Sequence, residues 1–309
     1  MLDRREFIKM ILAGGTLAGL GSLPLDALAK REMVKITILH TNDTHSRIEP
    51  FPAEDPKYPG MGGFARRAAL VKSIRSKEKN VLLFDAGDVF QGSPYFNYYG
   101  GEVEFKMMSD MGYTAGTLGN HEFDNGIEGL ALQLPQATFP FICSNYDFSD
   151  TPLNGKTHPY KVFEIDGVKV GVFGLGIELQ GLVLDWAYGK TRYLDPAAKA
   201  AEMAYLLKKE LKCDLIICLS HLGFSYQSKK ISDIAIAKQS KNIDIIIGGH
   251  SHTFLDKPVV FRNSDKKEII IAQVGWGGVK LGRIDFFLQR GSKLKIASAD
   301  TINIFNNQV

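Results

Sequence analysis

A chain of 309 residues with 45% hydrophobic, 10% aromatic and 23% charged side chains has the balance of a folded globular protein and enough apolar mass for a sizeable core. Its 37 Lys and Arg against 34 Asp and Glu leave a formal charge of +3, too small a bias for a surface built to bind duplex nucleic acid or another polyanion. Cys143, Cys213 and Cys218 form no CxxC and cannot all pair, which excludes a disulfide framework and a thiolate zinc site, so they read as small core residues.

The first segment in chain order reads as a targeting signal outside the fold. Asp3-Arg4-Arg5-Glu6-Phe7-Ile8-Lys9 precedes an apolar, glycine-rich run from Met10 to Leu23 and then Ala27-Leu28-Ala29. That is a charged head, a greasy middle and a small-x-small cleavage site. Gly14, Gly15, Gly19, Gly21 and Pro24 interrupt the middle, which is too short for a stable membrane span of about 20 residues. The head resembles the bacterial twin-arginine export signal. Residues 1–29 are therefore expected to be removed, leaving a periplasmic or otherwise exported protein.

From Val34 onward, β-branched runs alternate with amphipathic stretches, a mixed α/β pattern. Strands are predicted at Val34 to Leu39, Val81 to Phe84, Tyr113 to Leu118 and Phe141 to Ser144, and helices at Gly63 to Lys77 and Glu102 to Met111. Asp166-Gly167 between Tyr160 to Ile165 and Val168 to Leu175 predicts a hairpin. Asp195-Pro196 offers an acidic cap and a proline at the first position of a helix running to Leu211. Leu215 to Leu219 and Ile243 to Ile247 are continuously apolar, as strands buried on both faces would be. Val259 through Ile270, Val279 to Leu288 and Leu294 to Ile302 read as antiparallel strands. With no internal repeat or linker, one domain over residues 30–309 is expected.

The chemistry sits at the ends of these strands, where open α/β sheets place their ligands. Five of the seven histidines follow predicted strands in polar or glycine-rich turns. The turns are Asp43-Thr44-His45, Gly87-Asp88, Gly119-Asn120-His121-Glu122 with Asp124 behind it, Ser220-His221, and Gly248-Gly249-His250-Ser251-His252. Residues two apart in extended chain point the same way, so Asp43 with His45, and His250 with His252, are spaced to face one cation. A lone Asp-x-His or Ser-His is more often structural, but five such turns in order are not readily accidental. Nitrogen and oxygen donors without thiolate suit Mn, Fe, Zn, Co or Mg.

These motifs resemble those of the calcineurin-like metallophosphoesterases. The fuller stretches Leu39-His40-Thr41-Asn42-Asp43-Thr44-His45, Asp85-Ala86-Gly87-Asp88-Val89-Phe90-Gln91-Gly92 and Gly119-Asn120-His121-Glu122-Phe123-Asp124 are similar to the 5'-nucleotidase branch. The resemblance spans about residues 34 to 285. It implies a four-layer α/β/β/α sandwich and a site for two divalent metal ions. Asp43, His45, Asp88 and His252 would hold one, Asp88, Asn120, His221 and His250 the other, and His121 with Asp124 would be the catalytic dyad. The branch commonly has Gln at the position of His252, a departure expected to alter metal preference more than binding. Such a centre lowers the pKa of a bridging water and clamps the oxygens of an in-line displacement at phosphorus. The implied substrate is a phosphate monoester, above all a nucleoside 5'-monophosphate. The alternatives are a 2',3'-cyclic nucleotide phosphodiesterase, a nucleotide-sugar pyrophosphatase, sulfur-ester hydrolysis, or a non-catalytic exported metal-binding subunit. Members acting on nucleotides usually carry a second, substrate-reading domain; a separately encoded partner is the favoured source of that half, with a homo-oligomer contact or a broad acceptance of small phosphoesters as the alternatives.

The remaining candidates read more plainly. Asp85 is expected to accept hydrogen bonds behind the ligand turn, His40 to be packed as readily as functional, and His158 to lie at the surface. Tyr95, Phe96, Tyr98 and Tyr99 read as core or contact residues before they read as a stacking platform.

Overall fold

A computed structural model describes residues 33–289 and 295–305. The expected export signal over residues 1–29 lies outside the described residues. The first sheet has the order β13-β12-β1-β2-β3, from β1 (Met33–Thr41), β2 (Val81–Asp85), β3 (Ala115–Gly116), β12 (Lys280–Gln289) and β13 (Lys295–Asn303). The second has the order β10-β11-β9-β8-β6-β5, from β5 (Tyr160–Ile165), β6 (Val168–Leu175), β8 (Leu215–Ser220), β9 (Ile245–Gly248), β10 (Val259–Arg262) and β11 (Glu268–Ala272). A small ribbon pairs β4 (Tyr146–Asp147) with β7 (Arg192–Tyr193).

The period-two alternation of these strands builds the layers. Ile36 and Ile38 of β1, Phe84 of β2, Val170 and Val172 of β6, and Leu215, Ile217 and Leu219 of β8 meet in one apolar cluster between the two sheets. The alternate residues face helices. Leu39 and Leu83 pack with α1 (Phe64–Lys77), α3 (Glu102–Met111) and α4 (Gly126–Gln133), while α2 (Pro94–Tyr99) adds Phe96 to the same cluster. Ile216, Cys218 and Ile246 pack with α6 (Pro196–Tyr205) and α7 (Asp233–Gln239); the remaining short helix, α5, is Asp185–Tyr188. The molecule is thus the α/β/β/α sandwich that the resemblance implies, and β8 and β9 are apolar up to their closing Ser220 and Gly248 because both their faces are covered.

Local chemistry explains several elements. Asp195 accepts hydrogen bonds from the Ala197 and Ala198 N–H groups at 2.8 and 3.3 Å, with Pro196 opening α6. That helix then widens into a π turn at Leu206–Glu210, inside the span predicted to Leu211. The predicted hairpin forms as β5 and β6.

Two predicted strands are corrected. Tyr113 to Leu118 contracts to Ala115–Gly116, flanked by bonds from Thr114 N to Leu83 O and Thr117 N to Asp85 O. Phe141 to Ser144 forms only isolated bridges, because its partner changes at each step: Phe141 bridges Gly116, Ile142 bridges His158, and Ser144 N donates to Gly174 O. This segment crosses from one sheet to the other and so cannot sustain a ladder. In the tail, β12 pairs antiparallel with β1 and β13, and β10 with β11, but β11 runs parallel to β9. All three cysteines are buried and unpaired.

Candidate metal centre

β1, β2 and β3 run parallel, with Thr41 level with Asp85 and Asp85 with Gly116. In the other sheet Leu175 is level with Ser220 and Ser220 with Gly248. The carboxyl ends of six strands therefore finish level within their sheets, and all of them except β6 are followed by one of the polar turns. Asp43, His45, Asp88, Asn120 and His221 are buried at this end, and His252 is 41% exposed.

Crowding forces the backbone of these turns into unusual shapes. Asp43, His45, Asp88, His250 and His252 all have positive φ, between 48° and 70°, a region that side chains other than Gly seldom enter. Such strain persists only where the surroundings over-determine it. Glycines admit the close approach: a Cβ on Gly119 would lie 2.2 Å from Asp88 Oδ1 and 2.7 Å from His221 Nε2. At Gly87, with φ of 91°, a Cβ would meet Gly119 N at 2.6 Å.

The donor atoms fall into three overlapping groups that could each hold a cation: Asp43, His45 and His252; His45, Asp88 and His121; and Asp88, His221 and His250. His252 Nε2 lies 2.9 Å from His45 Nε2 and 3.4 Å from Asp43 Oδ1. His250 Nδ1 is 2.9 Å from Asn120 Oδ1.

The tautomers fit a metal. His221 Nδ1–H donates to Ala86 O at 2.7 Å, which makes Nε2 the atom a cation would meet on displacing its proton. That Nε2 is fully buried 2.9 Å from Asp88 Oδ2 but makes no well-aligned hydrogen bond. An imidazole nitrogen so placed beside a carboxylate, with its other nitrogen fixed by a carbonyl, is the donor set of a divalent cation. In the protein alone the same pair behaves as an ion pair: burial opposes charge on His221, but the Asp88 carboxylate outweighs it and raises the imidazole to about 10.

His121 and Asp124 stand beside the donors. His121 Nδ1 donates to Asp124 Oδ2 at 2.8 Å, and the His121 ring lies edge-on to His45 at 5.2 Å. Burial favours the neutral ring, yet the Asp124 hydrogen bond and the Asp88 carboxylate prevail and raise its pKa. The arrangement can present a cationic N–H toward the cation groups.

Residues that the sequence reading left without a role hold the turns in place. Glu122 is buried and accepts from the N–H groups of Asp88, Val89 and Gly119 at 3.0, 2.6 and 2.6 Å, joining the second and third turns. Asn42 donates to Asp43 Oδ2 and Gly275 O, both at 2.6 Å, and Gln273 donates to Gly249 O at 2.6 Å. Trp276 stacks on His252 with ring centres 5.9 Å apart and planes 17° apart. Glu122 and Asn42 lie inside recognisable motifs; for Gln273 and Trp276 no local signal exists, since their partners are distant in sequence.

The plainer candidates separate cleanly. Asp85 accepts from Gly87 N at 2.8 Å and Thr41 Oγ1 at 2.5 Å, and burial pushes its carboxyl up to about 7. His40 points between the sheets, packed where a Cβ on Gly282 would fall 2.0 Å from its Nε2, and burial lowers its pKa to about 3. His158 is half-buried rather than at the surface, since its backbone bonds both Phe141 and Cys143. Phe96 is core, whereas Tyr98 is 82% exposed.

A family model described as calcineurin-like phosphoesterase matches residues 36–254. The chain is 33% identical over 282 residues to a snake venom 5'-nucleotidase of Crotalus adamanteus, covering 84% of this chain and 47% of the relative. It is 33% identical over 283 residues to the trifunctional nucleotide phosphoesterase protein YfkN of Bacillus subtilis, covering 81% of this chain and 18% of the relative. Among solved structures, the 5'-nucleotidase precursor of Thermus thermophilus superposes with a TM-score of 0.78 at 33% identity, over 88% of this chain and 55% of that one. The chain thus spans about half the length of the 5'-nucleotidases it matches. Among the described residues no helix is long and apolar enough to cross a membrane.

Proposed function

The chain belongs to the calcineurin-like phosphoesterase family, and from that premise we propose that it is an exported two-metal phosphoesterase acting on phosphate monoesters, foremost nucleoside 5'-monophosphates. The observation that carries this reading is that the Asp43–His45–His252 and Asp88–His221–His250 donor groups are joined by close approach of His45 and Asp88, where His121, held by Asp124, also meets them. Asp43, His45, Asp88 and His252 would hold one cation, and Asp88, Asn120, His221 and His250 the other. Ions such as Mn, Zn, Fe, Co or Mg supply the Lewis acidity that brings the pKa of water toward neutrality and offsets phosphoryl charge.

The protein's own contribution is arrangement. Ala86 O and Phe90 O hold Nδ1 of His221 and His45, so that Nε2 is the atom offered to a cation. Asp124 holds His121 and favours its imidazolium, so the ring can donate to the oxygen of the departing group. Because phosphate esters repel nucleophiles through their negative oxygens, these fixed positive donors matter more than any nucleophilic side chain.

A reading with phosphoesters beyond monoesters, such as a diesterase, is the alternative, and the Bacillus subtilis relative described as a trifunctional nucleotide phosphoesterase favours a range of esters over a single one. Assay of the mature chain with added Mn²⁺ on p-nitrophenyl phosphate, its bis-ester, AMP and 2',3'-cyclic AMP decides between them. Monoester turnover, AMP included, is the expected result; bis-ester preference would establish the diesterase, and inactivity with metals bound the non-catalytic subunit. Export is tested by the N-terminus of the secreted protein, expected at Lys30. Purification as a lone monomer with full nucleotide selectivity would reject a separately encoded substrate-binding partner.

A further inference from the structure

Beside the dyad lies a groove of about 590 Å³ whose wall includes Asp124 and whose rim is formed by the turn leading into α2. Its volume falls within the roughly 300–1,000 Å³ of small-molecule sites. Its place relative to the cation groups is fixed at two points. Asp124 reaches His121 at 2.8 Å, and Gly92 packs so closely on His45 that a Cβ there would lie 3.1 Å from the His45 carbonyl. The turn is also rigidly set: Gln91 and Gly92 have φ of 73° and 101°, and Ser93 Oγ meets Ser46 Oγ at 2.5 Å.

The lining has a definite chemistry. Gln91, Asn97 and Asn125, three exposed amide-bearing residues, line the groove, and among the described residues none of the three makes a side-chain hydrogen bond. Pro94 adds a small apolar face, and the one charged side chain in the lining, Asp124, is engaged by His121. Amides donate and accept, as hydroxyl groups require. No cation lines the groove to receive a second phosphate.

We propose that this groove is the leaving-group subsite, and that it takes an uncharged, hydroxyl-bearing group such as a pentose ring through Gln91, Asn97 and Asn125. The assignment rests on the phosphoesterase reading and deepens it. With the phosphoryl group at the cation groups and its ester oxygen toward His121, the rest of the ester passes His121 on the Asp124 side. The sugar then meets the amides, while Pro94 covers its ring carbons.

The test compares AMP and ribose 5-phosphate with p-nitrophenyl phosphate, whose leaving group has no hydroxyls beyond the ester oxygen, in wild type and in Asn97→Ala, Asn125→Ala, Gln91→Ala and the Asn97→Ala/Asn125→Ala double variant. Each amide lost should lower the ratio of kcat/KM for the sugar phosphates over that for p-nitrophenyl phosphate by about three- to tenfold, mainly through KM. The double variant should lose more than either single one. Thermal melting identifies any variant that fails to fold, and Asn97→Gln then replaces it, with partial recovery of the ratio expected. An unchanged ratio overturns the groove assignment while leaving the phosphoesterase intact. So does a wild type that cleaves p-nitrophenyl phosphate but neither sugar phosphate. A metal-loaded wild type inactive on all three instead removes the phosphoesterase reading, and the groove falls with it.

Discussion

The two halves of the donor cluster are built differently. Asp88, His221 and His250 form the enclosed half, in which His221 is completely buried and oriented by a backbone carbonyl. Asp43, His45 and His252 form the open half, closed by a ring 41% exposed and held by stacking on Trp276. A main-chain carbonyl fixes one imidazole in each half, Ala86 O for His221 and Phe90 O for His45; what differs is the outermost ring, which in the open half is exposed and rests on an aromatic side chain. Under the proposed assignment, in which Asp88 serves both halves, the difference teaches that joined sites need not be equal in affinity, and the enclosed half is expected to hold its cation more tightly.

The most severe way to break that contrast is to remove what the halves share. Asp88→Ala should abolish both sites and lower turnover by at least about 10³-fold, with metal content by mass spectrometry falling toward zero; a variant retaining one full equivalent would show that the halves stand alone. Next, His121→Ala should lower kcat by about 10²- to 10⁴-fold with both cations retained, and a lost equivalent would make His121 a ligand. Trp276→Ala should act on the open half only, weakening one of two binding steps by about 10- to 100-fold in metal titration; equal weakening of both steps would erase the distinction.

The smallest effect lies away from both halves. His40 is buried with its pKa lowered to about 3, below the unfolded value of about 6.5. The folded state therefore binds fewer protons than the unfolded one below pH 6.5. Stability is full above that value and falls with acidity toward pH 3, by about 1.4 kcal/mol per pH unit at most. Replacing His40 with Gln should flatten this limb in urea melts between pH 4 and 7, and an unchanged slope would place the acid sensitivity elsewhere, for instance in the donor cluster.

How much of this was legible in the sequence depended on how local the physics is. The turns at Asp43, Asp88, Asn120, His221 and His250 announce themselves because donor residues follow apolar runs directly, and strand direction does the rest. The layers were legible because Leu215 to Leu219 is apolar at every position, which requires cover on both faces. By contrast, Trp276 stacks on a residue 24 positions away, and Glu122 serves amides more than 30 positions upstream; neither contact exists until the sheets have paired. Phe141 to Ser144 misled because its composition suits a strand while its bonds alternate between two sheets. The positive φ values at five donor positions were also invisible, since Asp and His carry no mark of them.

The donors hang from both sheets: Asp43, His45, Asp88 and Asn120 from one, His221, His250 and His252 from the other. An ion seated among them is a rivet through the seam of the sandwich, so occupancy and folding become a single linked equilibrium. Chelation should then loosen the whole scaffold as well as silence it, and how far the melting point drops measures how much of the sandwich's cohesion is mineral rather than apolar.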